Sequence, residues 1–307
     1  MHLSSERMRF IDATELGRLL PIVSAIDALE TAFAGGVPET PLRQRSETSD
    51  GELMLMPAWS DLGVGVKLVT ITPSNPVRSL PLIHGAYVLF EPGTQRPEAI
   101  IDGAALTALR TAAVSGLATR HLARPDASRL LVFGSGVQAR SHVQAMRAVR
   151  AIDEVIVVGR DHQRAQAFAA EAGGRPGEPG EVGSADIVCT CTTSPTPLFD
   201  GSQLPPGAHV NAVGAHTPTT RELDSVAIAR SRVVVETREV AMAEAGDLLI
   251  AIAEGEVDEH HAAADLGELV SGTRVRTSES DITVFKSVGM AFEDLVAARA
   301  AVDRLPG

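Results

Sequence analysis

Aromatic residues are scarce in this chain: one Trp, one Tyr and eight Phe, 3% of the whole. A platform on which bases could stack is therefore not available. Positive charge is short as well, with 27 Lys and Arg against 39 Asp and Glu, a net charge of −12. That balance argues against a nucleic-acid surface and against attraction to anionic lipid. Basic residues that do gather in such a chain serve a local purpose. Only two cysteines occur, Cys189 and Cys191. Alternation puts them on one face of an apolar, strand-like segment, a spacing that suits neither a disulfide nor a zinc knuckle. Free buried thiols in a reducing cytoplasm are expected. No apolar run is long enough to cross a bilayer. Met1 to Phe10 carries Glu6, Arg7 and Arg9 and no apolar core, so a secretory signal is not expected there. A soluble cytoplasmic protein is the expectation. No serine sits in a nucleophile elbow. Asp258, Glu259, His260 and His261 read as a solvated acidic loop, because adjacent histidines point to different faces, and no metal is expected.

What is present is a glycine turn in the right context. Leu130-Leu131-Val132-Phe133 reads as a buried strand, Gly134-Ser135-Gly136 as a tight turn, and Val137-Gln138-Ala139 as the first turn of a helix. Gly134 permits the turn. Gly136, without a Cβ, lets a pyrophosphate approach the backbone, and Ala139 replaces the usual third glycine and lets the helix pack close. The free N–H groups of the helix start complete an anion site.

From Arg129 onward, short runs rich in Val, Ile and Leu alternate with helical stretches. The strand candidates are Arg129 to Phe133, Glu154 to Val158, Ile187 to Thr192, His209 to Val213 and Arg232 to Glu236; the helices are Gln138 to Arg150 and His162 to Ala172. This is the pattern of an α/β fold, a Rossmann-type doubly wound parallel sheet. Between Gly173 and Gly183 the chain is Gly, Pro and Glu, so one crossover helix is expected to be trimmed to a loop. No internal repeat is evident.

The earlier part differs. Thr14 to Phe33 reads as one amphipathic helix. Glu52 to Met56, Val64 to Ile71 and Ala86 to Phe90 read as strands, and Ala104 to Leu122 as an alanine-rich helix. A last helix, Val288 to Arg304, is expected to pack back on this part. The expected division is a discontinuous α+β substrate and dimerisation domain, 1–125 with 282–307, and a Rossmann domain, 126–281, in keeping with about two domains for this length.

An NAD-specific site usually ends its second strand with an acid that binds the ribose hydroxyls. Here Gly159 holds that position and Arg160 follows, with Arg164 one turn on. A guanidinium fork suits a 2′-phosphate, so NADP(H) is favoured over NAD(H). The other reading makes Arg160 a solvated charge beside Asp161, the helix N-cap.

Several runs together resemble the ornithine cyclodeaminase/mu-crystallin family over nearly the whole chain. They are Met56-Pro57-Ala58, Gly65-Val66-Lys67, Leu106 to Ala113, the glycine turn, Asn211 to Pro218 and Thr283 to Gly289. The resemblance implies hydride exchange between a nicotinamide and an amino- or imino-acid carbon, and a homodimer. It places Arg43, Lys67 and Arg110 as ligands of a small substrate's carboxylate. Guanidinium forks suit that anion, and a lysine in an apolar strand is costly without a purpose. Arg45 is a rival to Arg43. Lys67 also becomes a proton donor if burial and cationic neighbours lower its pKa. The resemblance adds Thr111, Thr192, Gly214, Lys286, Ser287 and Val288 to the cofactor set of Gly134 to Ala139, Gly159, Arg160 and Arg164.

Where ornithine-cyclising members carry a catalytic Asp, this chain has His216. The Gly-Ala-His-Thr-Pro form resembles the branch that reduces cyclic ketimines such as Δ1-pyrroline-2-carboxylate. His216 is a candidate proton relay or a loop hydrogen-bonder, and His84 a second proton-transfer candidate or a core histidine. NADPH-dependent reduction of Δ1-pyrroline-2-carboxylate or Δ1-piperideine-2-carboxylate is the expected activity. An ornithine or lysine cyclodeaminase, an alanine-type dehydrogenase and a non-catalytic NADP-binding protein are the alternatives.

Overall fold

The computed structural model describes residues 8–306. Residues 1–7 of the stretch read for a secretory signal lie outside that range. The chain divides into two compact units. Among the described residues, one comprises 8–32, 36–110 and 290–306, and the other 33–35 and 111–289.

The first unit opens with β1 (Arg9–Ile11), α1 (Ala13–Leu19) and α2 (Ile22–Ala34). The single helix expected over Thr14 to Phe33 is thus two. Pro21 has no N–H to continue α1, and it pushes Leu20 out of the helical region, to φ −127 and ψ 80. Then come β2 (Gln44–Thr48), β3 (Gly51–Ser60), β4 (Gly63–Ile71), β5 (Ile83–Phe90), β6 (Pro97–Asp102) and α3 (Gly103–Leu122). Asp102 starts α3 by accepting from the N–H groups of Ala104 and Ala105. The six strands form one sheet in the order β1-β6-β5-β4-β3-β2, antiparallel except for β1 with β6. Alternation sets its inner face: Met54, Met56 and Ala58 of β3, Lys67 and Val69 of β4, Tyr87 and Leu89 of β5, all buried. The outer face keeps Trp59 47% and Leu68 37% exposed.

The second unit carries β7 (Arg129–Phe133), α4 (Val137–Val149), β8 (Glu154–Val158), α5 (His162–Glu171), β9 (Arg175–Pro176), β10 (Ile187–Thr190) and β11 (His209–Ala212). It continues with α6 (Ser225–Ala229), β12 (Ser231–Val235), α7 (Arg238–Glu244), α8 (Gly246–Ala253), β13 (Ala262–Asp265), α9 (Leu266–Val270) and β14 (Ile282–Lys286). Its eight strands are all parallel, in the order β13-β12-β14-β11-β10-β7-β8-β9. The near-continuous burial of β7, β8, β10 and β14 is what a sheet covered on both faces requires. The expected strands and the doubly wound class are present. Instead of a crossover helix, 173–183 holds the two-residue β9 and a 3-10 turn.

Placing 282–307 wholly with the first domain needs correction. β14 lies inside the second sheet, between β11 and β12, and the division falls after Gly289. The earlier division falls within α3, after Arg110, rather than after residue 125. Beyond β14 the chain rejoins the first unit as α10 (Ala291–Val302), which packs on β3, β4 and β5. Among the described residues no helix is long and apolar enough to cross a membrane.

Candidate active site

In the second unit the order reverses at β7, which has β8 on one side and β10 on the other. Open parallel sheets bind ligands beyond the carboxyl ends of the strands at such a switch point. Gly134 leaves β7 with φ +110, and a Cβ there would lie 2.5 Å from the Cys191 carbonyl oxygen, so only glycine fits. At Gly136, the N-cap of α4, an added Cβ would meet nothing within 4 Å: the space over the turn is open to a ligand. Backbone N–H groups from Val137 onward have no intrahelical acceptor there. Ala139 is fully buried under the helix. The Thr111 hydroxyl and Gln138 Oε1 are buried polar atoms without a hydrogen-bond partner among the described residues. Orphaned polar atoms and an open glycine turn fit the pyrophosphate of a dinucleotide.

Beyond β8, Asp161 caps α5 by accepting from Arg164 N at 3.1 Å, as the alternative reading held. The Arg160 and Arg164 side chains are exposed and make no ion pair among the described residues. Gly159 lies where an acid would stand, and an added Cβ would press on Ala165.

The next strand ends are tied by acids. Buried Glu222 accepts from Thr190 Oγ1, from Thr192 N and Oγ1, and from Gly214 N at 2.6 Å. Burial pushes its pKa up. Asp247 in turn accepts from the N–H groups of Glu222 and Leu223 and pairs with Lys286. Glu236 accepts from Ser287 Oγ and from the N–H groups of Val288 and Gly289. The side chains of Lys286 and Ser287, expected to line the nicotinamide, are therefore directed inward. Lys286 is wholly buried, and its ammonium donates to the Ala215 carbonyl. Val288, expected beside them, is also buried. The Thr192 hydroxyl is likewise engaged, with Glu222. His216 lies at the end of this loop, its Nδ1–H donating to the Gly214 carbonyl at 3.0 Å.

In the first unit, Lys67 and Arg110 meet on α10. Lys67 Nζ donates to Asp294 Oδ1 at 3.0 Å and lies 2.8 Å from Oδ2. Arg110 Nε donates to Asp294 Oδ1 at 3.0 Å and its Nη1 to Glu293 Oε2 at 2.8 Å. Both cations and both acids are buried. Lys67 is lowered to about 8, chiefly by burial and by repulsion from Arg110 and more weakly from Arg43, with Asp294 opposing. Arg43 is half-buried just before β2, its Nη1 4.0 Å from Met54 Sδ. Its rival Arg45 is committed to Glu52 at 2.9 Å.

His84 departs from expectation. It is exposed, pairs across the sheet with Thr70, and falls on the face opposite that of Lys67 and Tyr87. The structure does not join it to the Lys67–Arg110 array. In the acidic loop, His260 is exposed and His261 Nε2 lies 2.9 Å from the Ile228 carbonyl oxygen. The sequence reading missed Glu293 and Asp294, adjacent acids in a helix built mostly of Ala, Val and Leu, although that contrast was a visible signal. It also missed Glu222, Glu236 and Asp247, which nothing local distinguishes from surface acids.

Comparison with known proteins places these features. A family model described as the ornithine cyclodeaminase/mu-crystallin family matches residues 7–307. A Δ1-pyrroline-2-carboxylate reductase from Bacillus cereus is 36% identical over 97% of this chain and 96% of its own. The ketimine reductase mu-crystallin of Rattus norvegicus is 38% identical over 82% of this chain and 80% of its own. Among solved structures, Thermococcus litoralis Δ1-pyrroline-2-carboxylate reductase, in complex with NADH and L-proline, is similar to this chain. It superimposes with a TM-score of 0.91 at 34% identity, covering 97% of both chains. The chain belongs to the ornithine cyclodeaminase/mu-crystallin family.

Proposed function

We propose that this NAD(P)-dependent oxidoreductase reduces a cyclic imino acid, Δ1-pyrroline-2-carboxylate or Δ1-piperideine-2-carboxylate, to the cyclic amino acid at C2. The observation that carries the reading is the buried pair Lys67 and Arg110, held by Asp294 and Glu293 beside Arg43. An acidic chain that gathers three cations in one place is built to take an anion. A planar carboxylate suits guanidinium and ammonium donors together. The names of the relatives from Bacillus cereus and Rattus norvegicus support the same substrate class.

A bound reduced nicotinamide supplies the hydride. The chain's own groups do the rest. Arg43, Lys67 and Arg110 fix the carboxylate and so orient the adjacent C2. Lys67, lowered to about 8, holds a proton that it can give up near neutral pH. His216 is the second candidate for proton transfer, its Nδ1–H turned to the Gly214 carbonyl. The turn at Gly134 to Ala139 would hold the pyrophosphate, with Thr111 and Gln138 beside it. NADPH is the proposed donor because Arg160 is exposed and unpaired where a 2′-phosphate would lie; the Thermococcus litoralis relative was solved with NADH.

We further propose a homodimer that covers the outer face bearing Trp59 and Leu68, with scattering or sedimentation as the check. A cytoplasmic setting, in which Cys189 and Cys191 stay reduced, completes the reading.

The test incubates the purified enzyme with NADPH or NADH and Δ1-pyrroline-2-carboxylate and follows nicotinamide absorbance. Parallel wells hold pyruvate with ammonia, and ornithine. Fast NADPH loss with the imine is expected. Turnover only with pyruvate and ammonia would identify an amino-acid dehydrogenase instead. Ammonia release from ornithine would identify a cyclodeaminase, against which His216 in the Asp position counts. Cofactor binding without any turnover would leave a binding protein.

A further inference from the structure

Asp294 is wholly buried, and both of its oxygens face cations. Oδ1 accepts from Lys67 and from Arg110, and Oδ2 lies 2.8 Å from the same lysine. Its neighbour Glu293 takes the far end of the Arg110 guanidinium. Successive residues on a helix point about 100° apart, so the two acids reach that guanidinium from different directions and fix its plane.

Mere stability does not call for this. Buried ion clusters are commonly no better for folding than well-packed apolar residues of the same volume. The charges, in contrast, suit a ligand. Arg43 adds its field at the Lys67 ammonium, so three cations act together where a substrate carboxylate would be gripped.

The groups around Lys67 come from every element near it: Arg110 from α3, Arg43 from before β2, and Asp294 from α10. Tyr87 of β5 has its hydroxyl buried in the field of Asp294. Burial, Arg110 and Arg43 all drive the proton off Lys67; Asp294 holds it on.

Resting on the substrate reading above, we infer that Asp294 is a positioning residue of the reaction. Its carboxylate holds the Lys67 ammonium and the Arg110 guanidinium in the geometry that grips the substrate carboxylate, and it keeps the ammonium charged at working pH. Asp294 acts through these two side chains.

The experiment compares the unaltered enzyme with Asp294→Asn and Asp294→Glu. It measures kcat and KM for Δ1-pyrroline-2-carboxylate across pH, and the affinity of the cofactor-loaded enzyme for L-proline by calorimetry. Asp294→Asn is expected to lose about tenfold or more in both kcat/KM and L-proline affinity. Its alkaline limb is expected to move to lower pH by about one unit, while Asp294→Glu keeps the limb in place. An Asn variant with the limb and the L-proline affinity of the unaltered enzyme overturns the proposal, whatever its melting temperature. If Asp294→Asn does not fold, Asp294→Glu decides. A KM raised about fivefold or more supports positioning, and an unchanged KM overturns it. If the unaltered enzyme reduces no cyclic imine, the substrate reading fails, and L-proline affinity alone then tests Asp294. Absence of L-proline binding by the unaltered enzyme overturns both.

Discussion

Lys286 and Asp247, both inaccessible to solvent, form an ion pair of 2.8 Å beneath the loop that carries His216. The ammonium also donates to the Ala215 carbonyl, so one buried cation ties β14, α8 and that loop together. Removing one partner of a buried pair strands the other charge and costs about 3–5 kcal/mol. Lys286→Met is therefore expected to lower the unfolding free energy by about that amount in urea titrations. Lys286→Met with Asp247→Leu is expected to recover part of the loss. A single variant as stable as the unaltered protein would show that the pair is not structural.

The catalytic pH profile is expected to fall above about pH 8. Lys67 is charged below that value and neutral above it, and the proposed carboxylate ligand and proton donor is the charged form. The stability term has its own sign. Lys67 has a lower pKa folded, about 8, than its ordinary 10.5, so between these values the unfolded chain binds more protons. This group therefore adds stability as pH rises through that window. Lys67→Met is expected to cost about a hundredfold or more in kcat/KM, and initial rates from pH 6 to 10 check both statements.

Arg160 is expected to decide the cofactor. A charge-assisted contact to a phosphate is worth about 1.5–3 kcal/mol, so Arg160→Ala is expected to raise KM for NADPH about tenfold or more. KM for NADH is expected to stay unchanged. Equal effects on both cofactors would remove Arg160 from the 2′-phosphate.

Acid is expected to loosen the second unit through two histidines. His142, buried between Gln138 O and Ser115 Oγ, is lowered to about 4, and His209 beside Thr283 to about 3, both chiefly by burial. Each is neutral when folded and takes a proton when unfolded once pH drops below its ordinary 6.5. Stability is full above that value and lost as pH falls toward 4, by about 1.4 kcal/mol per pH unit for each group. His209→Gln, measured by urea unfolding between pH 7 and 4.5, is expected to flatten that slope by about half.

Local chemistry made much of this protein legible. Glycines at 134 and 136 after an apolar run announce a strand, a turn and a helix, because the constraint is steric and spans a few residues. The parallel sheet was readable from runs such as Val155 to Val158, since strands buried on both faces need uninterrupted hydrocarbon. Ala262-Ala263-Ala264, which forms β13, was not readable, because alanine favours helix and only a neighbouring edge recruits it. Placing β14 inside the second sheet likewise required knowing its neighbours, β11 and β12.

The site shows the same division. Lys67 and Arg110 stood out in sequence as cations in apolar company, an electrostatic cost visible without a fold. Their shared acid did not stand out. Asp294 lies 227 positions from Lys67 and 184 from Arg110, and nothing in strand or helix periodicity links such positions. By itself the sequence determined which residues need partners: the glycine turn an anion, the buried cations a negative charge. Only the tertiary structure decided which partners they have, because packing α10 onto β3 and β4 is what carries Asp294 and Glu293 to them. Periodicity acts along the chain over a few residues, whereas charge pairing in a low-dielectric interior depends on distance in space.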